Sequence, residues 1–130
     1  MNSVAEDIKD ILEAESLGMD ADNLFVGRMP DKPDECVVLY DTTTQPPQLT
    51  LAEEGAGLNY DSFQVQVRDT GYQGCWTLIK SIQDALHGRA AETWNGTLYT
   101  AIYCSAGPAF MEWDKNSRVH FIMNFNVMRR

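Results

Sequence analysis

Apolar and polar residues alternate strictly in the segment Phe63-Gln64-Val65-Gln66-Val67-Arg68. Side chains of a β-strand point alternately to the two faces of its sheet. The pattern therefore predicts a strand that buries its phenylalanine and two valines in a core. It also predicts that the two glutamines and Arg68 face water or a neighbouring subunit.

Further strands are predicted on both sides of this segment. Residues 119–127 repeat the alternation, and residues 97–104 are rich in β-branched and aromatic residues. The turn cluster Asp114-Lys115-Asn116-Ser117 predicts a hairpin between residues 110–113 and 119–127.

Nearer the N-terminus, Leu24–Val26 and Cys36–Tyr40 are predicted to form two short strands. Met29–Glu35 between them contains two prolines, which indicates a turn or a hairpin loop. The pair Asn95-Gly96 is interpreted as another turn.

Two segments have helical periodicity. Ser3-Val4-Ala5-Glu6 is a capping-box sequence, and the apolar residues that follow predict an amphipathic helix of about four turns before Gly18. Thr70-Gly71-Tyr72-Gln73 is a second such sequence, and it precedes a helical pattern that Gly88 ends. Helices and strands in this order predict an α+β fold, an antiparallel or mixed sheet with both helices on one face. We expect one domain over residues 1–130, with a long loop at about 43–61.

Composition excludes several functional classes. The 130 residues are enough for one compact domain, and their net charge of −9 disfavours sequence-independent binding to DNA. The charge is unevenly divided, because residues 1–61 contain 14 acidic and 3 basic residues whereas residues 62–130 contain 5 and 7. Solvated loops and a solvated first helix explain this division, and so does an acidic surface within a repeating assembly.

No spacing of residues indicates catalysis, a metal site or a cofactor. The three cysteines form no C-x-x-C pair and are expected to be small buried residues in a reducing compartment. A secretory leader and a membrane-spanning stretch are both lacking from the sequence, which favours a cytosolic protein. A small α+β enzyme or ligand-binding domain is a distant alternative, for which a deep pocket lined by His120 and Cys104 would be the distinguishing feature.

Several aromatic residues are candidates for the core or for an interface. Trp76 flanks the apolar stripe of the second helix, and Trp113 lies beside a hairpin turn together with Phe110. Exposed aromatic side chains at strand ends often anchor protein interfaces. We therefore predict subunit or tube contacts at these residues and at apolar residues of the long loop, namely Leu49, Leu51 and Tyr60.

Turn and strand motifs along nearly the whole chain resemble one known family, the tail-completion proteins of tailed bacteriophages that are often labelled minor capsid proteins. The motifs that carry the resemblance are Leu24–Asp34, Asp41-Thr42, Tyr60–Arg68, Leu86-His87-Gly88, Trp94-Asn95-Gly96, and the turn Asp114–Arg118 with Asn124-Phe125. None of these motifs is catalytic.

The resemblance implies a structural virion protein, an α+β subunit of a tail-terminator ring at the head–tail junction. Such rings are hexamers that cap the tail tube, so one face would stop tube polymerisation and the other would receive head-completion or connector proteins. Assembly would take place in the host cytoplasm, without a cofactor or a membrane.

An acidic surface has a possible use in such a ring. If Asp20, Asp22, Asp31 and Asp34 line a central channel, DNA would pass through without binding to the wall. The nearest alternative function is another neck component, a head-closure or connector-adaptor protein.

Overall fold

A computed structural model describes residues 1–46 and 58–130, which form two helices and one mixed sheet. The elements in chain order are α1 (Val4–Ala14), β1 (Leu24–Val26), β2 (Cys36–Asp41), β3 (Asn59–Asp69), α2 (Tyr72–Leu86), β4 (Arg89–Trp94), β5 (Thr97–Trp113) and β6 (Val119–Arg129). The strands are ordered β1-β2-β3-β6-β5-β4, and the β1–β2 pair is parallel whereas the other pairs are antiparallel. The predicted α+β class is confirmed.

Both helices cover one face of the sheet. Helix α1 packs on β1, β2 and β3, and α2 packs on β3, β5 and β6. The predicted alternation holds in β3, where Phe63, Val65 and Val67 are fully buried. Their partners across the strand pair, Phe125, Met123 and Phe121, are buried as well. One continuous core therefore joins the two helices to the central strands.

The predicted start of the first helix is confirmed, but that of the second is wrong. Ser3 Oγ accepts a hydrogen bond from the Glu6 amide, and the Glu6 carboxylate accepts one from the Ser3 amide. Helix α1 ends at Ala14, so it has three turns instead of four. The N-cap residue of α2 is Gly71, which has no side chain to bond the first turn, and the amide and hydroxyl of Thr70 both donate to Asp69 Oδ1 instead.

The segment between β1 and β2 is a crossover. Leu24 pairs with Val37 and Val26 with Leu39, so the two strands are parallel. A hairpin would make them antiparallel, and the predicted hairpin loop is therefore wrong. Residues 27–35 return along the sheet to the end at which both strands begin.

Other strand predictions are confirmed or corrected in detail. The β5–β6 hairpin forms as predicted, with the Ser117 amide donating to the Asp114 carbonyl in its turn. Strand β4 is not predicted by any local pattern, and it reaches β5 through the expected turn at Asn95-Gly96. Both turn residues have positive φ, 50° and 79°. Of the predicted loop at 43–61, residues 47–57 lie outside the described residues, and its last residues belong to β3, which begins at Asn59.

Candidate interaction surfaces

Helix α2 and the β5–β6 hairpin bring several aromatic rings together. Tyr72 and Trp76 lie four residues apart in α2 and so face the same side of the helix. Their ring centroids lie 5.1 and 5.8 Å from that of Phe121 in β6. The ring of Phe110 in β5 lies 6.2 Å from those of Tyr72 and Phe121. Two of the predicted interface residues, Trp76 and Phe110, thus meet over one buried phenylalanine.

These outer rings are exposed although Phe121 beneath them is buried. Tyr72 is 50% exposed, Trp76 37% and Phe110 48%. Further along β5, Met111 and Trp113 are exposed as well. We call Tyr72, Trp76, Phe110 and Trp113 the aromatic surface. Adjacent exposed aromatic side chains of this kind are typical of protein interfaces.

The aromatic surface continues into an open strand edge. Strand β4 pairs with β5 only as far as Ile102. Two residues further along β5, the Cys104 amide donates a hydrogen bond to His87 Nδ1 over 2.9 Å. Ser105–Trp113 pairs on its inner side with β6. On its outer side, no strand within residues 1–46 and 58–130 is paired with it. We call this outer side the β5 edge.

Two of the predicted acidic residues surround a buried arginine. Arg118 donates to Asp34 Oδ1 at 3.3 Å, to Asp31 Oδ1 at 3.4 Å and to Asp114 Oδ2 at 2.9 Å. The hydrogen bond from Lys32, and after it that from Arg118, holds the pKa of Asp34 below its ordinary value. Asp31 and Asp34 therefore have an ionic role within the subunit besides any role at a channel.

Arg68 anchors the same crossover segment, which corrects its predicted orientation. Its guanidinium donates to the carbonyls of Asp34 at 3.0 Å, Pro33 at 2.6 Å and Asp31 at 3.3 Å. The side chain is buried instead of facing water, because these three carbonyls satisfy its donors. Arg68 and Arg118 together hold residues 31–34 against the ends of β3 and β6.

The other two acidic residues form a separate, exposed turn before β1. Asp20 Oδ1 accepts from the Asp22 amide at 2.8 Å, and the Asp20 amide donates to Asn23 Oδ1 at 2.9 Å. Both aspartates are exposed. The Asn23 carbonyl accepts from the Val37 amide, which places this turn at the end of the sheet where β2 begins.

The remaining predicted interface residues are not part of the aromatic surface. Tyr60 is half-buried on the opposite face of the sheet, where it lines a shallow polar pocket of about 120 Å³ with Tyr103, Ser62 and Asn126. It pairs with Met128, near the opposite end of β6 from Phe121. Leu49 and Leu51 lie outside the residues that the structure describes.

A buried polar network was not foreseen from the sequence. Tyr99 donates to Asp7, and Arg129 donates to Asp61 Oδ2 at 2.8 Å and to the Tyr99 hydroxyl at 3.3 Å. Asn95 adds a bond to Asp7 at 2.7 Å. Burial, and then the hydrogen bond to Asp7, raises the pKa of Tyr99. In the helical pattern of the sequence, Asp7 lies on the polar face. Its burial depends on the contact with Tyr99, which is 92 residues away in the chain.

Among the described residues, His120 and Cys104 have different side-chain partners. His120 Nε2 lies 2.9 Å from Asp114 Oδ2, and its buried Nδ1 has no hydrogen-bond partner in the part of the chain that the structure describes. Cys104 instead accepts from Gln83 in α2. Within the described ranges, no group of three or more His, Cys, Asp or Glu side chains is arranged to hold a metal ion. None of the helices described is long and apolar enough to cross a membrane.

Two solved structures have the same fold as this chain. A chain of the "virion of native gene transfer agent (GTA) particle" is 13% identical with a TM-score of 0.66, and the match covers 98% of this chain and 94% of that chain. A second solved chain, whose name states no function, is 12% identical with a TM-score of 0.53 over 96% and 90% of the two chains. These structures share the fold; no curated protein matches the sequence.

The sequence itself matches the family model described as "bacteriophage tail terminator protein" over residues 3–129. Because this match spans nearly the whole chain, the chain belongs to the bacteriophage tail terminator family, and it is a structural protein of the phage tail.

Proposed function

We propose that this protein forms a closed ring at the end of the tail tube, where it stops tube polymerisation and provides the surface for head–tail joining. The ring is expected to be a hexamer of this chain. Its other partners are the tail tube protein and a head-completion or connector protein. The subunits assemble in the host cytoplasm, and the protein acts through its surfaces without catalysis or a cofactor.

The observation that carries the proposal, beyond family membership, is the aromatic surface. Helix α2 and β5 expose large side chains around the buried Phe121, where one subunit leaves them in water. Burial of an aromatic side chain is among the largest contributions to an interface. A surface of this composition is therefore expected to be covered in the assembled tail.

Charge distribution supports a cyclic assembly over a two-fold dimer. Successive subunits of a ring meet through two different patches, whereas a two-fold contact uses the same patch twice. Residues 1–61 have a net charge of −11 and residues 62–130 of +2. This difference in net charge favours contacts between an acidic patch and a near-neutral or basic patch. Repulsion opposes contacts between two acidic patches.

Passage of DNA is compatible with this ring. The exposed turn with Asp20 and Asp22, and the exposed carboxylate of Asp31, are candidates for the channel wall. Several copies of these carboxylates around a channel would repel phosphate and keep DNA from adhering.

Solution mass measured with and without purified tail tubes tests the proposal. We expect the protein to bind tubes as a ring of uniform subunit number and to prevent further growth of the tubes when tube protein is added. A Trp76→Ser variant should keep its fold and lose the ring. Binding to capsid connectors but never to tail tubes would overturn the terminator function in favour of another neck function.

A further inference from the structure

The structure points to a specific contact between neighbouring subunits. We propose that the β5 edge pairs with the β1 edge of a second copy of this chain, so that the sheets of successive subunits join edge to edge around the ring. This inference rests on the proposed function. It names the surface that the ring uses and the partner strand that fits it.

Backbone N–H and C=O groups along the β5 edge have no partner strand among the described residues. A strand that is paired on one side directs every second pair of N–H and C=O groups away from its partner. Strand β5 extends past the end of β4, and residues 105–107 and 109–113 are exposed. An open edge with so many outward groups is a template for another strand.

The side chains of the β5 edge also favour pairing with another strand. Natural proteins protect open edges with charges, prolines and bulges. Here Gly107 and Pro108 and the register shifts around them interrupt the first half of the edge, and one further register shift lies between Phe110 and Glu112. Residues 109–113 contain one charged residue, Glu112, and three large exposed apolar residues, Phe110, Met111 and Trp113. Its apolar side chains, despite this register shift, make Ala109–Trp113 the part of the edge that we expect to pair.

The partner strand that we propose is β1 of a second copy. At the opposite edge of the sheet lies β1, which has a neighbour on one side only among the described strands. It is three residues long, and its Phe25 and Val26 are half-buried, so it offers a short apolar edge. A strand of three residues is short enough to pair with part of Ala109–Trp113, in which one register shift lies between Phe110 and Glu112.

Charge complementarity favours the β1 edge of a second copy over a second β5 edge. Exposed Asp20 and Asp22 lie in the turn directly before β1. Near the β5 edge, Lys80 lies 6.0 Å from the Trp76 ring and Lys115 is exposed in the hairpin turn. Contact between β5 and β1 places opposite charges together. Two β5 edges would instead form a two-fold pair that closes after two subunits.

A matched pair of lysine variants tests the contact. Phe110 and Tyr103 lie in the same strand and are 48% and 40% exposed, but only Phe110 lies within the proposed pairing segment. We expect Phe110→Lys to lower the fraction of subunits in tube-bound rings about tenfold or more, and Tyr103→Lys to change it less than about twofold. Circular dichroism and thermal unfolding of both variants check that they fold.

Hydrogen exchange gives a readout that does not depend on substitution. Those amides of residues 109–113 that point away from β6 should exchange quickly in the free subunit and become protected in rings on tubes. If these amides are already protected in the monomer, the edge is covered within the chain and the inference is overturned. Amides that stay unprotected in the ring would also overturn the proposed contact between the β5 edge and β1.

Cross-linking identifies the partner strand. Ala109→Cys and Arg28→Cys place thiols on the β5 edge and directly after β1, and a short bismaleimide should link the double variant into a ladder of oligomers. The wild type, with its native cysteines, is the control. Links in Ala109→Cys alone, or links only to the tube protein, would overturn the proposed pairing.

The inference and the proposed function fail in different ways. Rings that form unchanged with Phe110→Lys would disprove the edge contact and leave the terminator function intact. A wild-type protein that never associates with tail tubes would disprove the terminator function itself.

Discussion

Arg129 Nε donates a hydrogen bond to Asp61 Oδ2 over 2.8 Å, and both side chains are buried. Breaking a buried ion pair by removing one partner typically costs about 3–5 kcal/mol, because the other charge stays buried without compensation. We therefore expect Asp61→Ala to lower the free energy of unfolding by about 3 kcal/mol or more. Denaturant unfolding measures this effect.

The matched control for this pair is the surface ion pair of Lys9 and Glu13, which are 3.6 Å apart in α1. Exposed pairs contribute about 0–1 kcal/mol, so Glu13→Gln should have little effect. Equal effects of the two variants would contradict a central role for the buried network.

Arg118 is predicted to hold the crossover segment in place. Its guanidinium bonds to the side chains of Asp31, Asp34 and Asp114, so Arg118→Met would leave their carboxylates without their shared partner. We expect a loss of about 1–3 kcal/mol and faster proteolytic cleavage between residues 27 and 35. Lys32→Met is the control, because Lys32 is exposed and pairs with Asp34 alone. A segment that stays equally resistant in Arg118→Met would contradict the prediction.

Acid is predicted to weaken the fold through Asp114. The hydrogen bond to His120, and then those from the amides of Arg118 and Asn116, hold the pKa of Asp114 below its ordinary value of 3.8. The folded state therefore binds fewer protons than the unfolded state as the pH falls below about 4. The contribution of this group is complete above that pH and decreases as the pH falls toward the depressed pKa.

The measurement is the free energy of unfolding between about pH 6 and pH 2, where this linkage acts. In Asp114→Asn the acid-dependent loss should be smaller than in the wild type, because the titrating group is absent. Parallel curves for the two proteins would show that other carboxyl groups cause the acid sensitivity.

The two pairs of acidic residues are expected to behave differently when neutralised. Asp20 and Asp22 are exposed in a turn, whereas Asp34 and Asp31 contact Arg118. We expect Asp20→Asn with Asp22→Asn to leave stability nearly unchanged and to slow DNA passage, measured as the ejection rate from virions. Asp31→Asn with Asp34→Asn should reduce both stability and DNA passage. Normal DNA passage and infectivity in all four substitutions would exclude an acidic channel at these residues.

Local patterns predicted most of the elements. The alternation in β3 and β6 and the periodicity of both helices specify which side chains are buried, and the structure confirms these faces. The Asn95-Gly96 turn was predicted as well, although β4 before it was not. This short edge strand has mostly exposed or half-buried residues and a positive φ at Ala91, so its sequence lacks an apolar alternation.

Part of the candidate site could also be predicted. The sequence predicts Trp76 and Phe110 as interface residues, and the structure brings their rings together over Phe121, although their place at an interface stays a prediction. Tyr72 was missed, because it lies in the first turn of a helix whose start was predicted from a capping box that does not form.

By itself, the sequence determined the fold class, the faces of the strands and helices, and a family resemblance that the family match confirms. These properties depend on residues close together in the chain, where side-chain periodicity decides burial. Only the tertiary structure decided that β1 runs parallel to β2, that Arg68 is buried, and that β5 extends past β4 with an open edge. Each of these depends on contacts between distant residues, whose partners no local pattern specifies.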